Sequence, residues 1–392
     1  MATEKIDLNN LNINSLDKSD WKTYRFDEIA QNISERVDPN DTDLEVYVGL
    51  EHLDSESLHI KRHGTPDDVN GTKLRFYKGD IIFGRRRAYQ RKAGIATCDG
   101  FCSAHALVLR ANPDVIDPEL FPFFIHSDLF MNRAIDISVG SLSPTINWGT
   151  LKHQEFLLPT KDYQNELAKL LQTVDAVLQS AKIYKENLEN FYSVYVDNLF
   201  SKPNKNWSYK LLNEVANINQ EALSSKTGSE YKFSYLDLAS IEGPKKLGEM
   251  QILKYDQAPS RAKRVVKDNS IIIGLVRPYQ QSIVYIEKSE NIISSTGTAV
   301  IEAKSKIFSR FLFHQFFSSK FLRYCERMMT GTSYPAITSD DLSLYKIAVP
   351  KTYKEQEEIA NKLDLIELNE NKVRKKIYQS FKVQKSLINQ VF

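Results

Sequence analysis

Between positions 163 and 199 the chain has neither proline nor glycine, and its apolar residues recur at alternating spacings of four and three. Leu167, Leu171, Val174, Leu178, Ala181, Leu188, Tyr192, Tyr195 and Leu199 fall on one seam, interrupted once by Lys185. This period predicts a long helix with a coiled-coil face. Pro159 precedes it and Pro203 follows it, and proline bounds a helix at both ends. A second seam runs from Glu355 to the C-terminus through Ile359, Leu363, Ile366, Val373, Ile377, Leu387 and Val391, with Glu370 and Gln384 where apolar residues are expected. At 1.5 Å per residue each helix is about 50–55 Å long. One such helix alone leaves an apolar stripe in water, whereas two in one chain bury each other. An antiparallel pair is therefore predicted.

Ahead of each helix the pattern changes period. Residues 44–50, 79–84, 104–109, 270–275 and 298–302 are short apolar runs that read as strands. Turn-rich stretches such as 63–68 and 243–248 separate them. Helical patches follow at 119–137 and 309–328. Strands first and helices afterwards predict the α+β class.

The same order of features occurs twice. Trp21, Glu28 and Ala30 match Trp207, Glu214 and Ala216, 186 residues later. Gly84, Arg87, Tyr89 and Gln90 match Gly274, Arg277, Tyr279 and Gln280 at an offset of 190. Residues 103–109 match 295–301 at 192; Gly140, Pro144, Ile146 and Pro159 match Gly331, Pro335, Ile337 and Pro350 at 191. Gln164, Glu166 and Ala168 match Gln356, Glu358 and Ala360 at 192. These weak matches, all in one order, establish an internal repeat. They divide the chain into an N-terminal arm (1–20), a mixed α/β domain (21–160), a helix (161–202), a second mixed domain (203–350) and a second helix (351–392). The expected architecture is two tandem domains separated by two long antiparallel helices, with a pseudo-twofold repeat.

Composition narrows the class. A chain of 392 residues with 42% hydrophobic content can bury two cores, and global disorder is excluded. The net charge of +2 excludes a uniformly basic protein but leaves local basic surfaces open. Three cysteines exclude a disulfide scaffold and fit a reducing cytoplasm. The polar N-terminus has no apolar signal core, and no apolar run approaches the roughly 20 residues of a membrane span, so a soluble cytoplasmic protein is expected.

Catalytic signatures are missing. There is no phosphate loop, no dinucleotide fingerprint, no Asp/Asn-Pro-Pro-aromatic element, no nucleophile elbow and no His-Glu-x-x-His. Cys98, Cys102 and His105 supply three zinc-type ligands where a structural site takes four, and the repeat partner of His105 is Gly297. Buried cysteines are the simpler reading. Neither a metal site nor a catalytic residue is predicted.

Positive charge is gathered instead. Arg85, Arg86, Arg87, Tyr89, Gln90, Arg91 and Lys92 directly follow a strand that ends at Gly84. Cations meet phosphates, Arg pairs bidentately with guanine and Gln with adenine. The repeat keeps Arg277, Tyr279 and Gln280, and Arg261, Lys263, Arg264 and Lys267 lie nearby in sequence. A second repeated loop carries Ser141, Ser143 and Thr145 in one copy and Thr332, Ser333 and Tyr334 in the other. Its hydroxyls suit phosphates or bases, and equally the cap of a following helix, where Asp340 and Asp341 fit an N-terminus.

Taken together these residues resemble the DNA-specificity (S) subunit family of type I restriction–modification systems. The features are the Trp…Glu-Ile/Val-Ala opening of each half, the strand followed by Gly and Arg, the Gly-Ser/Thr…Pro…Ile loop running to Pro159 or Pro350, and the Gln-x-Glu-Leu/Ile-Ala start of each helix. The resemblance implies two target-recognition domains, each reading half of a split double-stranded DNA site. It implies helices that act as a spacer and dock two methyltransferase (M) subunits, with restriction (R) subunits joining that core. It implies no catalytic centre and no cofactor on this chain, S-adenosylmethionine being bound by M and ATP with Mg by R. A single-chain DNA-modifying enzyme and a coiled-coil scaffold stand as alternatives.

Overall fold

In a computed structural model, which describes residues 18–202 and 204–392, the chain forms two compact units. One contains the chain up to Lys182 together with Lys375–Phe392; the other is Ile183–Arg374. Most of the expected arm at 1–20, and Pro203, lie outside the described residues.

In the first unit, Ala30–Ile33, Ala106–Ala111, Ile81–Gly84 and Ala93–Ile95 form one antiparallel sheet, in that order. Arg36–Val37, Lys73–Phe76, Gly100–Cys102 and Tyr47–Val48 form another, with the last pair parallel. The continuous apolar run at 81–83 is explained by burial on both faces. Ile81 and Phe83 enter a core shared with Phe121, Phe124, Phe130 and Phe156. Ile82 enters a core with Val48, Phe76 and Val108.

The second unit repeats this plan. Ala216–Ile218, Thr298–Ala303, Ser270–Gly274 and Ile283–Ile286 form one sheet; Gln251–Lys254, Lys232–Leu236, Ile292–Ser295 and Ala262–Val265 form the other. Ile271 and Ile273 face the helices, and Ile272 faces the other core. Each unit is closed by its first and last strands, Lys22–Arg25 with Glu155–Leu158, and Ser208–Leu211 with Lys346–Val349.

Several predicted elements differ in extent. Each helical patch is two helices, Phe121–His126 with Asp128–Asp136, and Ser309–Gln315 with Ser319–Met328. Ser127 and Ser318 break them, each Oγ accepting the amide of the residue three positions on, Phe130 or Phe321. The predicted strand at 44–50 shrinks to Tyr47–Val48. The stretch at 243–248 is the turn of a small hairpin, Ile241–Gly243 with Lys246–Leu247.

The long helices are Lys161–Ser201 and Tyr353–Val391. Each unit holds an antiparallel segment of both. In the first, Leu167, Ala168 and Leu171 pack with Ile388 and Val391, and also with Leu58, Leu120 and Phe123 of the globular part. In the second, Tyr192, Val196 and Phe200 share a core with Ala360, Leu363 and Phe311. The seam is thus covered by its own domain as well as by the other helix. Val196 and Phe200 are accordingly more buried than the seam positions Tyr195 and Leu199. Leu178 is buried, and Val174, Leu188, Ile359, Ile366, Val373 and Ile377 are half-buried.

The polar seam positions have partners. Gln384 donates to Asp175 Oδ1 at 2.9 Å; Asp175 also bonds His59 Nε2 at 2.6 Å. Glu370 accepts from Arg374 at 2.6 Å, and Lys185 reaches Glu189 at 2.6 Å.

The repeated glutamine at each helix start locks the helix to its domain. Gln164 accepts the Asp117 amide at 2.6 Å and donates to the Val115 and Pro159 carbonyls at 2.9 Å. Gln356 accepts the Phe308 amide at 3.0 Å and donates to Lys306 O at 3.2 Å. Among the described residues no helix is long and apolar enough to cross a membrane.

Candidate nucleic-acid interface

The two repeated loops, more than fifty residues apart in sequence, meet in each unit. In the first, the strand Ile81–Gly84 runs into Arg85 and Arg86, then into a 3₁₀ turn, Ala88–Gln90, flanked by Arg87 (φ 55°) and Arg91 (φ 50°). Left-handed backbone at non-glycine residues is uncommon and costs free energy. Hydrogen bonds to the second loop hold it in place. The Arg87 amide donates to Pro144 O at 2.7 Å, and the Ile146 amide to Arg85 O at 2.9 Å. Val139 and Thr145 bridge the base of that second loop, and Gly140 (φ 116°) opens its turn.

The second unit builds the same clasp. Arg277 (φ 51°) and Gln281 (φ 50°) flank the turn Pro278–Gln280. The Arg277 amide donates to Pro335 O at 2.7 Å and the Ile337 amide to Leu275 O at 3.0 Å. Thr330 and Ala336 bridge the loop base. The result in each unit is a finger, 140–147 or 331–338, rooted by a buried Ile146 or Ile337 and clamped to the arginine-bearing loop.

What the clasp presents differs from the sequence reading in detail. Arg86, Arg87 and Tyr89 are exposed, Tyr89 by 54%; Arg85 and Gln90 are half-buried. Arg91 is tied inward, to Asp128 at 2.6 Å and Glu56 at 3.3 Å, and Lys92 donates to Leu50 O at 2.8 Å. These two cations hold the turn rather than extend the free basic surface. Ser141 is exposed, Ser143 accepts from Arg87 Nε at 3.3 Å, and Thr145 donates to Ser143 O at 3.0 Å.

In the second unit Tyr279 and Gln280 are exposed, as are Thr332, Ser333 and Tyr334. The Arg277 guanidinium lies 5.1 Å over the Tyr334 ring and donates to Ser333 O at 3.4 Å. The helix-capping reading of this loop has its bond: Thr338 Oγ1 accepts the Asp341 amide at 3.0 Å.

Of the other cations, Arg261 is exposed and Lys263 and Arg264 are half-buried. Burial lowers the Arg264 guanidinium's pKa. A ladder of backbone bonds joins this strand to the arginine loop, Thr296 N to Arg261 O and Leu275 N to Gly297 O, both at 2.9 Å. Lys267 is paired with Glu221 and Glu302.

His105, opposite Gly297 in the repeat, stands on the same side of the first unit. Partial burial lowers its pKa, and Arg86, Arg85 and Lys73 lower it further. Lys73 therefore extends the basic surface, which the charge run alone did not disclose, while its lowered pKa keeps His105 uncharged there. The zinc-type reading of His105 loses its partners: Cys102 is buried, its thiol pushed up to about 12, and Cys98 is exposed.

Clasps of this kind, made twice from a duplicated sequence, fit a duplicated binding function. The family model for the type I restriction modification DNA specificity domain matches residues 18–190 and again 204–380. The chain belongs to this family.

Among relatives, it is 23% identical over 254 residues to the specificity subunit of the type I restriction enzyme EcoDI of Escherichia coli, covering 64% of this chain and 52% of that protein. The chain therefore spans about half the length of that relative. A protein named as the MjaX specificity subunit in Methanocaldococcus jannaschii is 23% identical over 376 residues, 87% of this chain and 84% of that one.

The fold is similar to that of a type I restriction–modification S subunit from M. genitalium, with TM-score 0.60, 17% identity, and coverage of 96% and 98% of the two chains. A chain from a structure of type I R-M complex assembly gives TM-score 0.56, 19% identity, and coverage of 95% and 97%.

A second polar cluster in this specificity-family chain is structural. His314 Nε2 bonds Asp364 at 2.7 Å and its Nδ1 bonds the Tyr192 hydroxyl at 2.7 Å. His314, Asp364 and Glu367 lie close enough together to suggest a metal site. Arg310 bridges both carboxylates, reaching Glu367 at 3.0 Å and Asp364 through Nε at 2.8 Å, so each already has a cationic partner within the chain. Burial pushes His314 down to about 4. Burial alone would raise Asp364, but the bonds from His314 and Arg310 hold it below the usual range.

Proposed function

We propose that this chain is the sequence-reading subunit of a type I restriction–modification system, each unit reading one half of a bipartite double-stranded DNA site. The observation that carries this reading is the clasp itself: one backbone frame, Arg87–Pro144 and Arg277–Pro335, carrying different side chains in the two copies. A shared frame with unlike tips suits two related readers of unlike half-sites. Arg86, Arg87 and Arg261 supply phosphate contacts that position the duplex; Gln90, Gln280, Tyr89, Tyr279 and the finger tips face base edges.

The chain itself performs no chemical step. S-adenosylmethionine belongs to two M subunits, and ATP with Mg to R subunits. The long helices are the spacer between half-sites and the docking surface for M. Each unit offers exposed apolar residues on its helix segments for this, Val177, Tyr378 and Val383 in one, Phe191, Val194, Leu365 and Leu368 in the other. The complex works in the bacterial or archaeal cytoplasm, where its DNA is.

Methylome sequencing of a host carrying the chain with its M partner tests the reading. An asymmetric, split methylated site is expected; a continuous or palindromic one overturns it. Exchanging residues 21–160 for those of another family member changes one half-site only. Methylation or cleavage of DNA by the purified chain alone establishes the single-chain enzyme instead.

A further inference from the structure

The finger of the first unit ends in a side chain that the folded chain does not use. Leu142 is 92% exposed, ahead of Ile252 at 75% and Tyr334 at 72%. One exposed leucine is ordinary on a protein surface. This one sits at the tip of a clamped element. Gly140 holds φ 116°, Val139 bridges Thr145, Pro144 O accepts the Arg87 amide, and Ile146 is fully buried at the root. Leu142 cannot collapse onto the domain without breaking that frame, so its apolar surface is kept in water until something covers it.

The surroundings specify what covers it. Arg86 and Arg87 are exposed beside the finger, and Lys73 adds to the same positive field. Such a field draws phosphates, so the surface that arrives is nucleic acid. A finger two chains wide suits the major groove, about 12 Å across, and exceeds the minor groove at about 6 Å. On the major-groove floor, base edges present hydrogen-bonding groups and one apolar group, the C5-methyl of thymine. We propose that Leu142 is a specificity-determining residue that reads a thymine methyl in the half-site of the first unit. The proposal rests on the DNA-reading function argued above and names the group this finger recognises.

The repeat supplies an internal contrast. Leu142 aligns with Ser333, and the apolar tip of the second finger is Tyr334, one position later and stacked on Arg277. An aliphatic tip and an aromatic, cation-backed tip select different base edges, which suits unlike half-sites.

The test uses the full chain in complex with its M partner and duplexes bearing the methylome-determined site. Each thymine is replaced in turn by uracil, which removes only the methyl, and affinity is measured by competition. Wild type loses about three- to fivefold at one position, the worth of one buried methyl group. Leu142→Ala binds thymine and uracil duplexes equally, while Leu142→Met keeps the discrimination. Thermal unfolding of both variants matches wild type, because the side chain is exposed. Uniform tolerance of uracil, a half-site without an A·T pair, or undiminished discrimination in Leu142→Ala overturns the methyl contact and leaves DNA reading intact. Failure of the wild-type complex to select any duplex overturns both.

Discussion

The amide of Arg87 donates to the carbonyl of Pro144 at 2.7 Å, and Arg277 does the same to Pro335 at the same distance. Both arginines hold left-handed backbone, φ 55° and 51°, a conformation worth about 1–3 kcal/mol of strain for a side-chain-bearing residue. Glycine would be the economical choice. An arginine nevertheless stands there in both copies, and each guanidinium reaches its own finger, Arg87 Nε donating to Ser143 Oγ at 3.3 Å and Arg277 to Ser333 O at 3.4 Å.

Substituting Arg87→Gly separates the two contributions. Glycine takes φ near 55° without penalty, so the clasp persists and thermal stability is unchanged or slightly raised. The phosphate contact proposed for Arg87 is removed with the side chain. Duplex affinity of the chain with its M partner falls, and the slope of log affinity against log salt becomes shallower by about 0.9. An unchanged salt slope means that Arg87 is only a solvated side chain.

Arg86 and Arg91, five residues apart in one basic run, are expected to behave oppositely. Arg86→Ala leaves the unfolding midpoint unchanged and lowers the salt slope, since Arg86 is exposed. Arg91→Ala leaves the slope unchanged and costs about 2 kcal/mol of stability, because it removes the bonds to Asp128 and Glu56. Urea unfolding and salt titrations on both variants decide it; a fall in salt slope for Arg91→Ala shows that it does reach DNA.

That contrast marks where the linear pattern stops being informative. The duplication, the two long helices and the α+β class are all legible in the sequence because each rests on a period or on a repeated order. Which arginine faces out is not. It depends on two left-handed residues, Arg87 and Arg91, that turn the chain within five positions. The tip Leu142 has no sequence signature for a related reason: its repeat partner is Ser333, and exposure at a loop apex leaves no trace in hydrophobic spacing. The split of each helical patch follows from one serine, Ser127 or Ser318, whose capping bond outweighs an uninterrupted apolar pattern.

Gln164 recurs as Gln356, and the reason is visible only in three dimensions. Its side chain satisfies the Asp117 amide and two carbonyls, Val115 and Pro159, while being almost completely buried. Gln164→Leu keeps the volume and strands all three groups. A loss of about 3 kcal/mol is expected, read as a lower urea midpoint with an unchanged m-value. A midpoint within error of wild type shows that water replaces the amide.

His314 makes the second unit sensitive to acid. Its pKa is pushed down to about 4 from the ordinary 6.5, chiefly by burial. The carboxylate of Asp364 can only accept, so Nε2 carries the proton and Nδ1 accepts from the Tyr192 hydroxyl. Above pH 6.5 the imidazole is neutral in both folded and unfolded chains and this contribution is complete. Between pH 6.5 and 4 the unfolded chain binds a proton that the folded one refuses, so stability falls as pH drops through that window. The full span is about 3 kcal/mol. Urea unfolding of wild type and His314→Gln between pH 4 and 7 isolates it. The variant starts less stable at pH 7, having lost the imidazole's fit, and then declines less steeply than wild type. Parallel curves mean that His314 is protonated in the folded state as readily as in the unfolded chain.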